Sequence, residues 1–193
     1  MKSRVNSIDI KKLTYIALLT AIVFLLQFLA RFFQFATFSL TFVLVPIVVG
    51  VALCGVAAGA WLGFAFGLAV FLTGDAALFL QFNIVGTIIT VMLKGTLSGF
   101  FAGLVYKLLE KKNRYVAIFA AALTAPIVNT GIFFLGSLIF FFDSIAAFWN
   151  LAAGEVVPFI ITGLIGINFI IEVVINIVLA PTIYRIININ KKV

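Results

Sequence analysis

The sequence predicts an all-α fold: a bundle of six membrane-crossing helices with both chain ends on the cytoplasmic side. Three observations carry this. Of 193 residues, 65% are hydrophobic and only 10% charged, so a soluble core would have no polar skin to cover it. The apolar residues fall into six runs, most of them near the roughly 20 residues that cross a bilayer as a helix. Lys and Arg gather at alternate connections between those runs, as membrane topology requires.

Taken in order, residues 1–12 are polar and basic, and a first span is expected over about 13–33. That run is too long for a cleaved leader, and no A-x-A site follows it. Residues 34–40 read as a short loop and a second span as about 41–54. The small-residue turn CGVAAG leads into a third span over about 58–73. GDAALFLQFN, 74–83, reads as a loop able to re-enter the membrane, and a fourth span follows over about 84–108. EKKNR, 110–114, is the strongly charged connection before a fifth span over about 115–142. A polar-leaning loop, 143–157, precedes a sixth span over about 158–187. All of this reads as a single membrane domain covering 1–193.

With the N-terminus inside, the inner segments hold Lys2, Arg4, Lys11, Lys12, Lys107, Lys111, Lys112, Arg114, Arg185, Lys191 and Lys192 of the 13 basic residues. Arg31 falls at an outer end and Lys94 within the fourth span, while the outer loops hold Asp75, Asp143 and Glu155. Tyr15, Tyr106, Tyr115 and Tyr184 all fall at inner span ends, where an amphipathic ring prefers the interface. The net charge of +7 is therefore a topology signal, and no nucleic-acid partner is expected.

Several chemistries are excluded. The chain has no histidine and one cysteine, Cys54. An internal disulfide, a cysteine-rich metal site and the commonest general base are thereby ruled out. No G-x-x-x-x-G-K-[ST] pattern occurs, so the chain does not itself hydrolyse ATP through a P-loop. No cofactor is expected.

Two glycine ladders recur every fourth residue: Gly55, Gly59, Gly63, Gly67 and Gly95, Gly99, Gly103. Each presents a smooth helix face that another backbone can approach. Packing within the chain is the simpler reading; contact with another subunit is the alternative.

Charges inside a bilayer cost a few kcal/mol or more and face a partner or a cavity. Lys94 and Glu172 are the two deep charges. A structural salt bridge and a polar ligand pocket both account for them. Asn83, Thr87, Thr90 and Lys94 keep helical spacing, as do Asn168, Glu172 and Asn176, so each set can share one face. Asn129 adds a polar group on a third helix, one turn after Pro126. It serves either as interhelical glue or as a ligand contact. Phe38, Phe82 and Phe133 lie near expected loops or polar positions; packing is the simpler role for each, covering a ligand the alternative.

In the first span, YIALLTAIVF sets Ala17 and Ala21 one turn apart, leaving a shallow groove for another helix. With LKGTLSGFFAGLVYKLLEKKN (93–113), APIVNTGIF (125–133) and GINFIIEVVINIVLAP (166–181), this resembles the substrate-binding S components of energy-coupling factor (ECF) vitamin transporters. Within that family the chain is most similar to the pantothenate type. The resemblance implies a non-catalytic subunit of the cell membrane that captures a vitamin on the outer side. Loops between spans one and two, and three and four, close over the ligand, and the protein topples to release it inward. Ala17 and Ala21 would dock on a transmembrane coupling subunit, and two cytoplasmic ATPases would supply the energy. For pantothenate, Lys94 or Arg31 would meet the carboxylate. Asn83, Thr87, Asn129 and Asn168 would meet the amide and hydroxyls, and Glu172 would hold Lys94 or accept from a hydroxyl. Other vitamins (riboflavin, folate, thiamine) and a self-sufficient small-solute transporter remain alternatives. A membrane enzyme is disfavoured by the sparse catalytic equipment.

Overall fold

The computed structural model describes residues 7–30, 32, 34–35, 38–39 and 42–190. Lys2, Arg4, Arg31, Lys191 and Lys192, and the side chain of Phe38, lie outside what it describes. The first helix, α1 (Ser7–Ala30), leads to a two-stranded antiparallel hairpin of β1 (Gln34–Phe35) and β2 (Phe38–Ser39). It pairs Gln34 with Ser39 and Phe35 with Phe38, where the sequence suggested only a loop. The chain continues as α2 (Leu44–Cys54), α3 (Val56–Thr73), α4 (Ala77–Phe82), α5 (Ile84–Leu109) and α6 (Arg114–Phe140). It ends with α7 (Phe142–Trp149), α8 (Ala153–Phe159), a π-helical segment (Ile160–Gly166) and α9 (Ile167–Asn190).

Among the described residues, five helical stretches are long and apolar enough to cross a membrane: Ile10–Ala30, Val56–Thr73, Ile84–Leu109, Arg114–Phe140 and Ala153–Asn188. The second expected span is different. α2 has 11 residues and reaches only about 16 Å at the 1.5 Å rise per residue, short of the roughly 30 Å apolar thickness. Leu44, Ile47, Val48 and Val51 are nearly sealed from surroundings, so α2 is a core element wedged among longer helices.

Local chemistry explains the breaks. Gly55 separates α2 from α3 at φ +95°, and Gly74 ends α3 at φ +78°; both lie in the region that only glycine enters without strain. Asn83 starts α5 by accepting from the Gly86 N–H at 2.8 Å, and Asn113 starts α6 by accepting from Val116 at 3.2 Å. These are side-chain caps that satisfy otherwise orphaned donors. Asn150, at φ 53°, stops α7. The Glu155 carboxylate accepts from the Ala152 N–H at 2.9 Å and opens α8. The expected loops 74–83 and 143–157 therefore contain α4, α7 and the start of α8.

The two glycine ladders face each other. A Cβ added to Gly59 would lie 2.6 Å from the Gly99 carbonyl oxygen, and one added to Gly63 would lie 2.7 Å from the Gly95 carbonyl carbon. α3 and α5 thus touch backbone to backbone, and the ladders are consumed by packing within the chain. The alternative, a surface for another subunit, does not hold for these faces.

One end of the bundle collects Tyr106, Tyr115 and Tyr184. The Tyr115 and Tyr184 rings meet edge to face at 5.4 Å, and Arg114 Nε donates to the Tyr106 hydroxyl at 3.3 Å. Separately, the Cys54 thiol at the end of α2 meets the Lys12 carbonyl of α1. Buried side chains form a main core through α1, α2, α3, α5, α6 and α9. A second cluster around Phe141, Ile145, Val156, Ile160 and Leu164 is rich in aromatic contacts, including Phe79 to Phe133 at 5.3 Å and Trp149 to Phe159 at 5.0 Å.

Candidate functional site

Between the two core clusters lies a cavity of about 300 Å³. Each wall follows from helical spacing. α5 contributes Thr87, Thr90, Val91 and Lys94, a stripe at i, i+3, i+4 and i+7 that a helix places on one side. α6 contributes Asn129, Thr130 and Phe133, one turn beyond Pro126. Leu164 and Ile165 of the π segment continue into Asn168, Phe169 and Glu172 of α9. α1 supplies Gln27, α3 supplies Phe66 and Val70, and the short connection after α3 supplies Gly74, Asp75 and Ala76.

Five of the six site residues read from the sequence meet here: Thr87, Lys94, Asn129, Asn168 and Glu172. Asn83 does not. Its side-chain oxygen is committed to the Gly86 N–H at the start of α5, so its role is to cap the helix, and it is not among the lining residues. Asn176 shares the α9 face but is also spent locally, donating from Nδ2 to the Glu172 carbonyl at 2.8 Å. Of the aromatics singled out, Phe133 lines the cavity. Phe82 instead packs against Phe148 at 5.5 Å and Trp149 at 6.3 Å.

The electrostatics centre on Lys94. Its ammonium lies 5.3 Å from the Phe133 ring centre and 5.8 Å from that of Phe66, within range of cation–π attraction. The carboxylates of Glu172 and Asp75 act on it as well. One cation therefore sits among two acids and several aromatic rings, inside a half-enclosed space.

The amides are the second feature. Among the described residues, Asn129 Oδ1, Asn168 Oδ1, Gln27 Oε1 and Thr90 Oγ1 are buried without a hydrogen-bond partner. Each such atom costs about 1–3 kcal/mol while unmet. Four around one cavity mark a place where a bound molecule or water completes the hydrogen bonding. Thr87 donates its hydroxyl to the Asn83 carbonyl at 2.7 Å and so has its lone pairs left to accept.

Sequence reading missed Gln27 and Asp75 as cavity groups. Gln27 is fully buried. It donates from Nε2 to the Asp75 carboxylate and, at 3.4 Å, to the Thr73 hydroxyl. A lone glutamine in an apolar run carried a signal, since lipid does not tolerate it freely, but its partner lies 48 residues away.

Ala17 and Ala21 lie elsewhere, exposed on the outer face of α1, away from the cavity. The two alanines present a shallow surface with Leu18 and Leu25 projecting beside them.

An apolar helical bundle that encloses one polar cavity, with no P-loop of its own, is a membrane protein built to hold a small solute. The chain matches the family described as ECF transporter, substrate-specific component, over residues 11–184, and it belongs to that family. It is accordingly a non-catalytic substrate-binding subunit of the cell membrane, which works with a transmembrane coupling subunit and ATPases. No curated protein and no solved structure matches the chain.

Proposed function

We propose that the cavity captures a vitamin from the outer side, with pantothenate as the first candidate. The observation that carries this is the convergence of Lys94, Asn129, Asn168 and Glu172 on one cavity of about 300 Å³, the lower end of the range for small-molecule sites. Pantothenate has a carboxylate, an amide and two hydroxyls. Lys94 pairs with the carboxylate, Asn129 and Asn168 read the amide, and Thr87 and Glu172 meet the hydroxyls. The rings of Phe79, Phe133, Phe141 and Phe169 cover the aliphatic part. Delivery inward follows docking of the Ala17–Ala21 face on the coupling subunit, whose ATPase partners supply the energy.

One observation favours a second ligand type. Among the described residues, Asp75 and Glu172 set two carboxylates against the Lys94 charge, which suits a ligand bearing a cation, thiamine being such a case. Titration of the purified chain with pantothenate, riboflavin, thiamine, biotin, folate and nicotinate decides between them. Nanomolar pantothenate binding that is lost in both Asn129→Ala and Asn168→Ala supports the first reading. Tight thiamine binding replaces the vitamin while keeping the site. Unchanged affinity in both folded variants removes the site assignment.

A further inference from the structure

The α3–α4 connection is three cavity-lining residues long: Gly74, Asp75 and Ala76. Its geometry starts from Gly74, whose left-handed backbone at φ +78° turns the chain off the end of α3. The next residue, Asp75, carries the charge that reaches back. Its carboxylate accepts from Gln27 Nε2 of α1. The same amide nitrogen approaches the Thr73 hydroxyl at 3.4 Å, and that hydroxyl donates to the Val70 carbonyl at 3.1 Å. Gln27 is 0% exposed and Asp75 is half-buried, so the donor end of the tie is shielded from water, which strengthens a hydrogen bond to a charged group. On its other side Asp75 acts on Lys94.

We infer that Gln27 is a positioning residue: by holding the Asp75 carboxylate it fixes the 74–76 wall of the cavity to α1 and keeps an acidic group facing Lys94. Three points support this beyond mere packing. The bond joins elements 48 residues apart, so local structure does not supply it. Gln27 and Asp75 both line the cavity, so loosening their bond changes the cavity itself. Gln27 also stands on the same helix as the exposed Ala17 and Ala21, so the tie links the cavity wall to the helix that carries that face. The inference concerns the same cavity as the functional reading but holds for any ligand.

The test needs no ligand. Cys54→Ser removes the one native thiol, and Ala76→Cys places a reporter in the enclosed wall. In this background the thiol reacts slowly with a small maleimide. Gln27→Glu sets two carboxylates against each other and opens the wall, raising the labelling rate about tenfold, the effect expected for losing a hydrogen bond to a charged group. Gln27→Leu removes the donor without adding charge, is at home in an apolar helix, and also labels faster. The exchange Gln27→Glu with Asp75→Asn rebuilds the bond with donor and acceptor swapped, and labelling returns to near the parental rate. A purely structural role for Gln27 would not give this rescue. Parental labelling in both Gln27 variants, or no rescue in the exchange, overturns the inference. Saturating pantothenate on the same samples tests the functional reading separately: protection supports pantothenate capture, while the rescue pattern without protection removes pantothenate and leaves the Gln27–Asp75 tie standing.

Discussion

Replacing Gly63 by alanine adds one methyl group where the structure has no room for it. The new Cβ would sit 2.7 Å from the Gly95 carbonyl carbon and 3.2 Å from the Thr96 Cα, with the Gly95 oxygen closer still. All three atoms are backbone, so no side chain can swing away; α3 and α5 must separate. Overpacking of this kind costs about 1–3 kcal/mol. For a chain of this size that is a fall in melting temperature of roughly 3–10 °C. Gly131→Ala is the control, because nothing lies within 4 Å of its added Cβ. There the helix gains about 0.5–1 kcal/mol from alanine's higher propensity. The two substitutions are chemically identical, so differential thermal unfolding in one detergent isolates the backbone contact. Ligand affinity should follow stability for Gly63 only: Lys94 is the neighbour of Gly95, and its 5.8 Å contact to the α3 ring of Phe66 depends on the α3–α5 distance. Equal melting temperatures for Gly63→Ala and Gly131→Ala would refute the close-contact account of the ladders.

Lys94→Met keeps an unbranched side chain, one atom shorter, and deletes its charge; pantothenate affinity, read by calorimetry, should fall at least about 30-fold, the lower bound for breaking a buried charge pair. A rise in thiamine affinity in the same variant would mark the two carboxylates as the dominant field. Asn83→Ala removes a helix cap and nothing from the cavity, so unfolding should show a loss of about 1 kcal/mol with ligand affinity unchanged; weaker binding without destabilisation would return Asn83 to the site. Ala17→Leu with Ala21→Leu fills the shallow exposed face of α1. Ligand binding by the isolated chain should persist while co-purification with the coupling subunit is lost, and retained co-purification would place the docking face elsewhere.

Composition and periodicity were enough to reach the all-helical bundle and most of its spans, because apolar length is a one-dimensional property. The solvent that suits a helix of 24 or 26 residues can be read from those residues alone. The same holds for the breaks at Gly55 and Gly74, and for the stripes Thr87–Lys94 and Asn168–Glu172, which need only the 3.6-residue turn. Asn129 was legible as a polar group that a bilayer would not leave unmet.

What the sequence could not decide is which polar groups spend their hydrogen bonds locally and which face a shared space. Asn83 and Asn129 are the same side chain on adjacent apolar helices. One caps α5 and the other lines the cavity, and only the chain direction at the start of α5 separates them. The burial of α2 inside the protein was hidden for a related reason: an apolar run looks alike whether lipid or protein surrounds it. The pairing of Gln27 with Asp75, and of one glycine ladder with the other, joins residues tens of positions apart. Those contacts exist only after the helices have chosen their neighbours, because packing and hydrogen bonding act over a few ångströms, a distance the linear order of residues does not encode.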